Sequence, residues 1–191
     1  MMFRCLSVLA GAAALAGCVS VLPEPDAPGA LYRFGPMPAT HQLSAVISIR
    51  EPDAPRLFGG RAIASQAPDG SLRLVPGVEW ADRATRMFQL SLLDTLDSSA
   101  GGAAISASEA RAGDYVLSWR ISDFSLTGDT ARCQLELTLI PEMPDGVVAQ
   151  TGVTNTATAS GRSASARAQA MAEAGRGCVR EAADFVAAAT S

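Results

Sequence analysis

The chain carries four cysteines, Cys5, Cys18, Cys133 and Cys178, and a single histidine, His41. Cys18 closes the run Leu15-Ala16-Gly17-Cys18: an apolar residue, two small ones, then a thiol. That is the lipobox pattern of bacteria. A transferase needs the thiol to attach diacylglycerol, and the peptidase that follows needs small side chains in its cleft. Cys5 lies inside the apolar stretch ahead of this site and is a small hydrophobe that leaves with it. Cys133 and Cys178 remain in the mature chain. They are either a disulfide, which an oxidising envelope permits, or two separate buried thiols. A bond between them would close a loop of ~45 residues, worth ~4 kcal/mol in the chain-entropy model.

Other chemistry is thinly represented. One histidine removes most nucleophile–histidine pairs, and His41 precedes a strand start, where a solvated surface position is expected. There is no Gly-x-Ser-x-Gly elbow, no phosphate-cradling glycine loop and no cysteine–histidine spacing for a metal. Asp69, Glu79, Asp82, Asp94, Asp123, Asp129 and Glu136 are scattered over turns and polar faces. Acid–base catalysis by two carboxylates needs a facing pair, and solvation or capping is the simpler expectation for these. No enzyme activity, cofactor or metal is expected.

The elements around these residues begin with a signal. Residues 1–17 hold Arg4 as the charged start and an apolar run of about ten residues from Cys5 to Leu15, short of the ~20 a spanning helix needs. Residues 18–30 are a lipidated cysteine and a tether with Pro23, Pro25, Pro28 and Gly29, semi-extended at ~3 Å per residue. Val19 and Ser20, rather than Asp, follow Cys18, which points to an outer-membrane anchor facing the periplasm.

Residues 31–191 form the domain, long enough for a substantial core. An ordered segment spans Leu31–Phe34. Leu43, Ala45, Ile47 and Ile49 alternate along a strand. Arg61–Ala64 and Ser71–Val75 flank the turn Pro68-Asp69-Gly70. Trp80, Ala84, Met87, Phe88, Leu92 and Leu96 recur at helical spacing, predicting a helix over Glu79–Leu96 with Glu79 and Asp82 in its first turn. Ser98–Gly102 breaks it. Three strands follow: one from Tyr115 with a bulge near Asp123, one carrying Cys133, Leu135, Leu137 and Leu139 on one face, and a polar one over Val147–Ser160. A second helix, Ser163–Ala188, places Met171, Ala174, Cys178, Ala182 and Phe185 on one face. Its Gly175 and Gly177 either admit close packing or mark a kink. Trp80, Tyr115 and Trp119 are either core anchors or the lining of an apolar groove. The expected fold is α+β: a mixed, largely antiparallel sheet with two main helices packed on it.

Composition narrows the partners. All 15 basic residues are arginine, and the net charge is −4. No basic surface is expected to clamp a phosphate backbone, which excludes nucleic acid.

With these elements in place the chain resembles the ABC-type transport auxiliary lipoproteins, the family that includes the lipoprotein of the paraquat-inducible locus. The resemblance rests on the lipobox, Leu-Tyr-Arg-Phe at 31–34, Ile-Ser-Ile-Arg-Glu-Pro at 47–52, Gly-Val-Glu-Trp-Ala-Asp at 77–82 and Gly-Asp-Tyr-Val-Leu at 113–117. The Ala-rich C-terminal helix and the Cys133–Cys178 pair depart from it. The resemblance implies a non-catalytic subunit of an envelope lipid transporter, working with an Mce-domain protein and an ABC permease and ATPase, and able to form homo-oligomeric rings. The rival expectations are an assembly or pilot lipoprotein of an outer-membrane machine and, more remotely, a periplasmic hydrolase.

Overall fold

The computed structural model describes residues 29–96, 102–108, 113–143 and 146–191. The signal at 1–17, the lipobox with Cys18, the tether as far as Pro28 and the break after Leu96 up to 101 lie outside the described residues.

Among the described residues, eight strands and three helices follow in the order β1 (Ala30–Tyr32), β2 (Val46–Ile49), α1 (Arg56–Gly59), β3 (Ala62–Gln66), β4 (Leu72–Trp80), α2 (Ala84–Thr95), β5 (Ala103–Ser106), β6 (Tyr115–Thr127), β7 (Thr130–Pro141), β8 (Ala149–Thr158) and α3 (Ala164–Ala189). They form one mixed sheet with helices against it, an α+β fold. The antiparallel pairs β6–β7 and β7–β8 are the long ones. Parallel pairing, the minor part of the expected mixed sheet, joins β1 to β4, β2 to β5, and both β2 and β3 to β6.

β6 is the hub. β7 runs along one side of it, and its other side is divided: Ile47–Ile49 of β2 pair with Tyr115–Leu117, and Ala64–Gln66 of β3 pair with Ser125–Thr127. The register of β6 shifts between Ile121 and Asp123, the bulge that the slip from Ile121 to Phe124 predicts. The slip keeps Ile121 and Phe124 both buried, because one extra residue returns the apolar side chain to the core face. Gly128, at φ 60°, takes the left-handed position in the β6–β7 turn, where a Cβ would be strained. β7 alternates without a fault: Ala131, Cys133, Leu135, Leu137 and Leu139 are fully buried, and Arg132, Gln134, Glu136 and Thr138 lie on the other face.

The first long helix starts later than its spacing suggests. Residues 77–80 complete β4, and α2 begins at Ala84. Two strands claim the backbone there: the Trp80 N–H donates to the Arg61 carbonyl and the Ala81 N–H to the Tyr32 carbonyl, each at 2.7 Å. Glu79 and Asp82 are therefore not in a first helical turn. Glu79 faces Arg61, and the Asp82 carboxylate accepts from the Arg83 N–H. α1 and β5 are short elements that the sequence pattern does not reveal.

α3 runs unbroken from Ala164 to Ala189, with the Ser163 hydroxyl accepting from the Ala166 N–H as its cap. It lies across β7 and β8 and touches α2, β4 and β6. Its glycines serve close approach. A Cβ on Gly175 would stand 2.7 Å from the Phe34 ring, and one on Gly177 would overlap the Asn155 side chain.

Phe34, Trp80, Phe88, Trp119 and Phe124 gather into one aromatic cluster. Phe34 meets Trp80, Phe88 and Phe124 edge-on at 4.8–6.0 Å, and Trp80 stacks on Phe124 at 5.4 Å. Such pairs contribute ~0.5–1.5 kcal/mol each beyond their burial. Trp80 and Trp119 are core anchors rather than groove lining: both are buried, and the Trp119 indole N–H donates to the Arg50 carbonyl at 2.7 Å.

Candidate functional site

The residues that could do chemistry are spread over the molecule and mostly neutralised in place. Glu136 and Arg120 face each other across β6 and β7 with two hydrogen bonds of 2.8 and 3.1 Å. The guanidinium holds the Glu136 carboxyl below its ordinary range, and Glu136 in turn raises Arg120. Asp123 lies 3.7 Å from Arg132 and accepts from Ser125. Asp69 accepts from the hydroxyl and N–H of Ser71 within its turn, which lowers its carboxyl. These carboxylates are committed to arginines across the strands and to a turn. Among the described residues, no three of histidine, cysteine, aspartate and glutamate gather as a metal would require.

His41 is not a solvated surface residue. Its side chain is 22% exposed, and Nε2 stands 3.0 Å from Asp184 on α3. The segment between β1 and β2 is laid along the helices, and several polar contacts hold it there. The Ser44 hydroxyl donates to the Thr190 carbonyl at 2.7 Å and the Thr40 N–H to the Thr95 carbonyl at 3.1 Å. Arg176 donates to the Phe34 carbonyl while bonding Glu173. The sequence offered no signal for this path, because every partner lies more than fifty residues away.

A shallow cleft of about 130 Å³ is lined by Asp53, Ala54, Pro55, Arg120, Ile121 and Ser122. That is below the ~300 Å³ at which small-molecule sites begin. The surfaces are more informative. One sheet face carries the polar residues of β6, β7 and β8, and among the described residues β8 pairs only with β7. Leu31, Leu72 and Leu74 are about half exposed on β1 and β4, the arm where the chain arrives from the tether. Met143, Val147 and Val148 are exposed around the β7–β8 connection. No described helix is long and apolar enough to cross a membrane.

The two sequence-predicted cysteines are brought together. Cys133 on β7 and Cys178 on α3 are both fully buried free thiols within one core, where α3 packs on β7. Cys18 belongs to the undescribed N-terminal residues.

Among curated proteins no sequence match is found. Solved structures are similar in fold. A Xanthomonas campestris protein of the DUF330 family superposes with a TM-score of 0.74 at 21% identity, covering 86% of this chain and 96% of that one. An uncharacterized protein gives a TM-score of 0.66 at 10% identity, covering 84% of this chain and 99% of that one. At these identities the likeness is one of fold. The family model described as the ABC-type transport auxiliary lipoprotein component matches residues 34–183, from the aromatic anchor Phe34 almost to the end of α3, and the chain belongs to that family.

Proposed function

We propose that the chain is a non-catalytic subunit of an envelope lipid transport system, held by acyl chains on Cys18 at the outer membrane and facing the periplasm. The observation that carries this is membership of the transport auxiliary lipoprotein family. Three acyl chains on Cys18, at ~0.8 kcal/mol per buried methylene, would make a lasting anchor where one chain would not. The twelve or so residues from Cys18 to β1 reach at most ~40 Å, so the domain works close to the bilayer that holds it.

The domain is suited to docking rather than turnover. Glu136 and Asp123 are paired with arginines and Asp69 is held in its turn, the tryptophans are buried in the core, and the described cleft is too small for a lipid. An Mce-domain protein and an ABC permease with its ATPase are the partners this role calls for, and a ring of several copies would give a passage that one copy lacks.

Affinity purification of the anchored protein in mild detergent, with mass spectrometry of the proteins and lipids that accompany it, tests this. Recovery of an Mce-domain protein or permease with phospholipid is the expected result. Recovery of a secretin or a β-barrel protein instead would replace it with an assembly lipoprotein.

A further inference from the structure

We propose that Cys133 and Cys178 are joined by a disulfide in the exported protein, covalently fastening α3 to the sheet. The placement of the two residues carries this. Asn155 on β8 is the register partner of Cys133 on β7. Gly177, next to Cys178, lies so close to Asn155 that no side chain would fit between them. One turn along, Glu181 accepts from the Asn155 amide at 2.9 Å. These contacts fix helix and sheet at one register, the level at which Cys133, the neighbour of Asn155, and Cys178, the neighbour of Gly177, are both wholly buried. Helical glycine costs stability relative to alanine, and at position 177 that cost is what lets α3 close on Asn155 of β8, beside Cys133.

The chemistry is thiol–disulfide exchange, and it rests on the reading that the domain faces the periplasm. A thiolate of one cysteine attacks the disulfide of an envelope dithiol–disulfide oxidoreductase, giving a mixed disulfide and releasing that enzyme's second sulfur as a thiolate. The other cysteine, as thiolate, displaces the enzyme and closes the Cys133–Cys178 bond. Two electrons and two protons pass to the oxidoreductase, which leaves as its dithiol. Both sulfurs are wholly buried in the folded domain. Burial, reinforced by the neighbouring Cys178 thiol, raises the Cys133 thiol well above its ordinary value, so the attacking thiolate is suppressed once α3 has docked. Oxidation therefore precedes the final packing of α3, and the finished bond is sheltered from reductants. It is a structural staple, not a switch.

The test is a thiol count on the full chain expressed in a Gram-negative host, acid-quenched, denatured and treated with a polymer-tagged maleimide. Cys18 is blocked as a thioether in the lipidated form, and Cys5 is gone with the signal. The proposal expects no adducts without reductant and two after reduction. The Cys133→Ser variant, with its partner sulfur stranded, should give one adduct without reductant. Two adducts on the wild-type chain without reductant would overturn the disulfide and leave the anchored location standing. Four, matching all the cysteines of the unprocessed chain, would overturn both.

Discussion

Along β7, every residue from Thr130 to Leu139 has one partner on β6 and another on β8. At the other side of the molecule, β1 meets three residues of β4 and β5 meets four of β2. The first region is a long antiparallel ladder, interrupted only by the β6 bulge at Ile121–Asp123 and covered by α3. The second is a set of short, partly parallel strands whose backbone pairing alone could not hold them, since small strand groups are marginal in water. What compensates is side-chain chemistry at a few points. Phe34 inserts among Trp80, Phe88 and Phe124, and Arg176, His41 and Thr190 stitch the β1–β2 segment to the helices. Stability is therefore distributed over the ladder and concentrated in the short-strand arm.

The sharpest way to break this comparison is Phe34→Ala. The ring is buried against three aromatic neighbours and the backbone of Gly175, and removing it should cost ~3–5 kcal/mol in urea unfolding of the mature domain. A loss under ~1.5 kcal/mol would mean that backbone pairing holds the arm after all. Within the ladder, Gly177→Ala is the informative change. Helix propensity alone would favour it by ~1 kcal/mol. The overlap with Asn155 opposes that gain, at ~1–3 kcal/mol for overpacking, so a net loss of about 1 kcal/mol is expected. Adding Asn155→Ala should return much of that loss, and the non-additivity of the four-member cycle measures the contact. Strict additivity would show that α3 does not approach β8 as closely as described.

The same contrast explains what the sequence made legible. β7 could be read residue by residue because one face is buried and the other polar, so the period of two survives in the side chains. The β6 bulge was visible as a slip in that period. α3 was visible from Ser163 to its end for the same reason at a period near 3.6. In the short-strand arm the pattern misleads. Trp80, Ala84 and Phe88 fall at four-residue steps, yet Trp80 ends a strand and only the other two are helical; all three reach one core from different backbones. β5, Ala-Ala-Ile-Ser, has too few residues to show any period. Of the candidate site, the juxtaposition of Cys133 and Cys178 was legible because each lay on a core-facing stripe. The contact of His41 with Asp184 was not, because an ion pair over that chain separation leaves no local trace.

A smaller effect bears on where the ladder's helix begins. Ser163→Ala removes the acceptor for the Ala166 N–H and should cost ~1 kcal/mol, while Ser163→Gly should cost only a few tenths. Equal losses for both variants would show that backbone conformation at 163, and not the hydroxyl, sets the start of α3.

The smallest expected effect concerns the link between the two regions. Glu173 on α3 binds Arg176 and Arg180, and Arg176 also reaches the Phe34 carbonyl. The Arg176 hydrogen bond, helped by Arg180, holds the Glu173 carboxyl below its ordinary value of 4.5. A depressed carboxyl contributes stability that is complete above the unfolded value and is lost as pH falls through the folded one. The domain should therefore lose stability on the acid side of pH 4.5, and Glu173→Gln should remove part of that slope. The carboxylate is 47% exposed, so solvent screening keeps the contribution below ~1 kcal/mol. Urea midpoints of both proteins on either side of that pH decide the matter. Converging curves would show Glu173 positioning Arg176 on the Phe34 backbone, whereas parallel curves would leave the Phe34 ring as the main tie between arm and ladder.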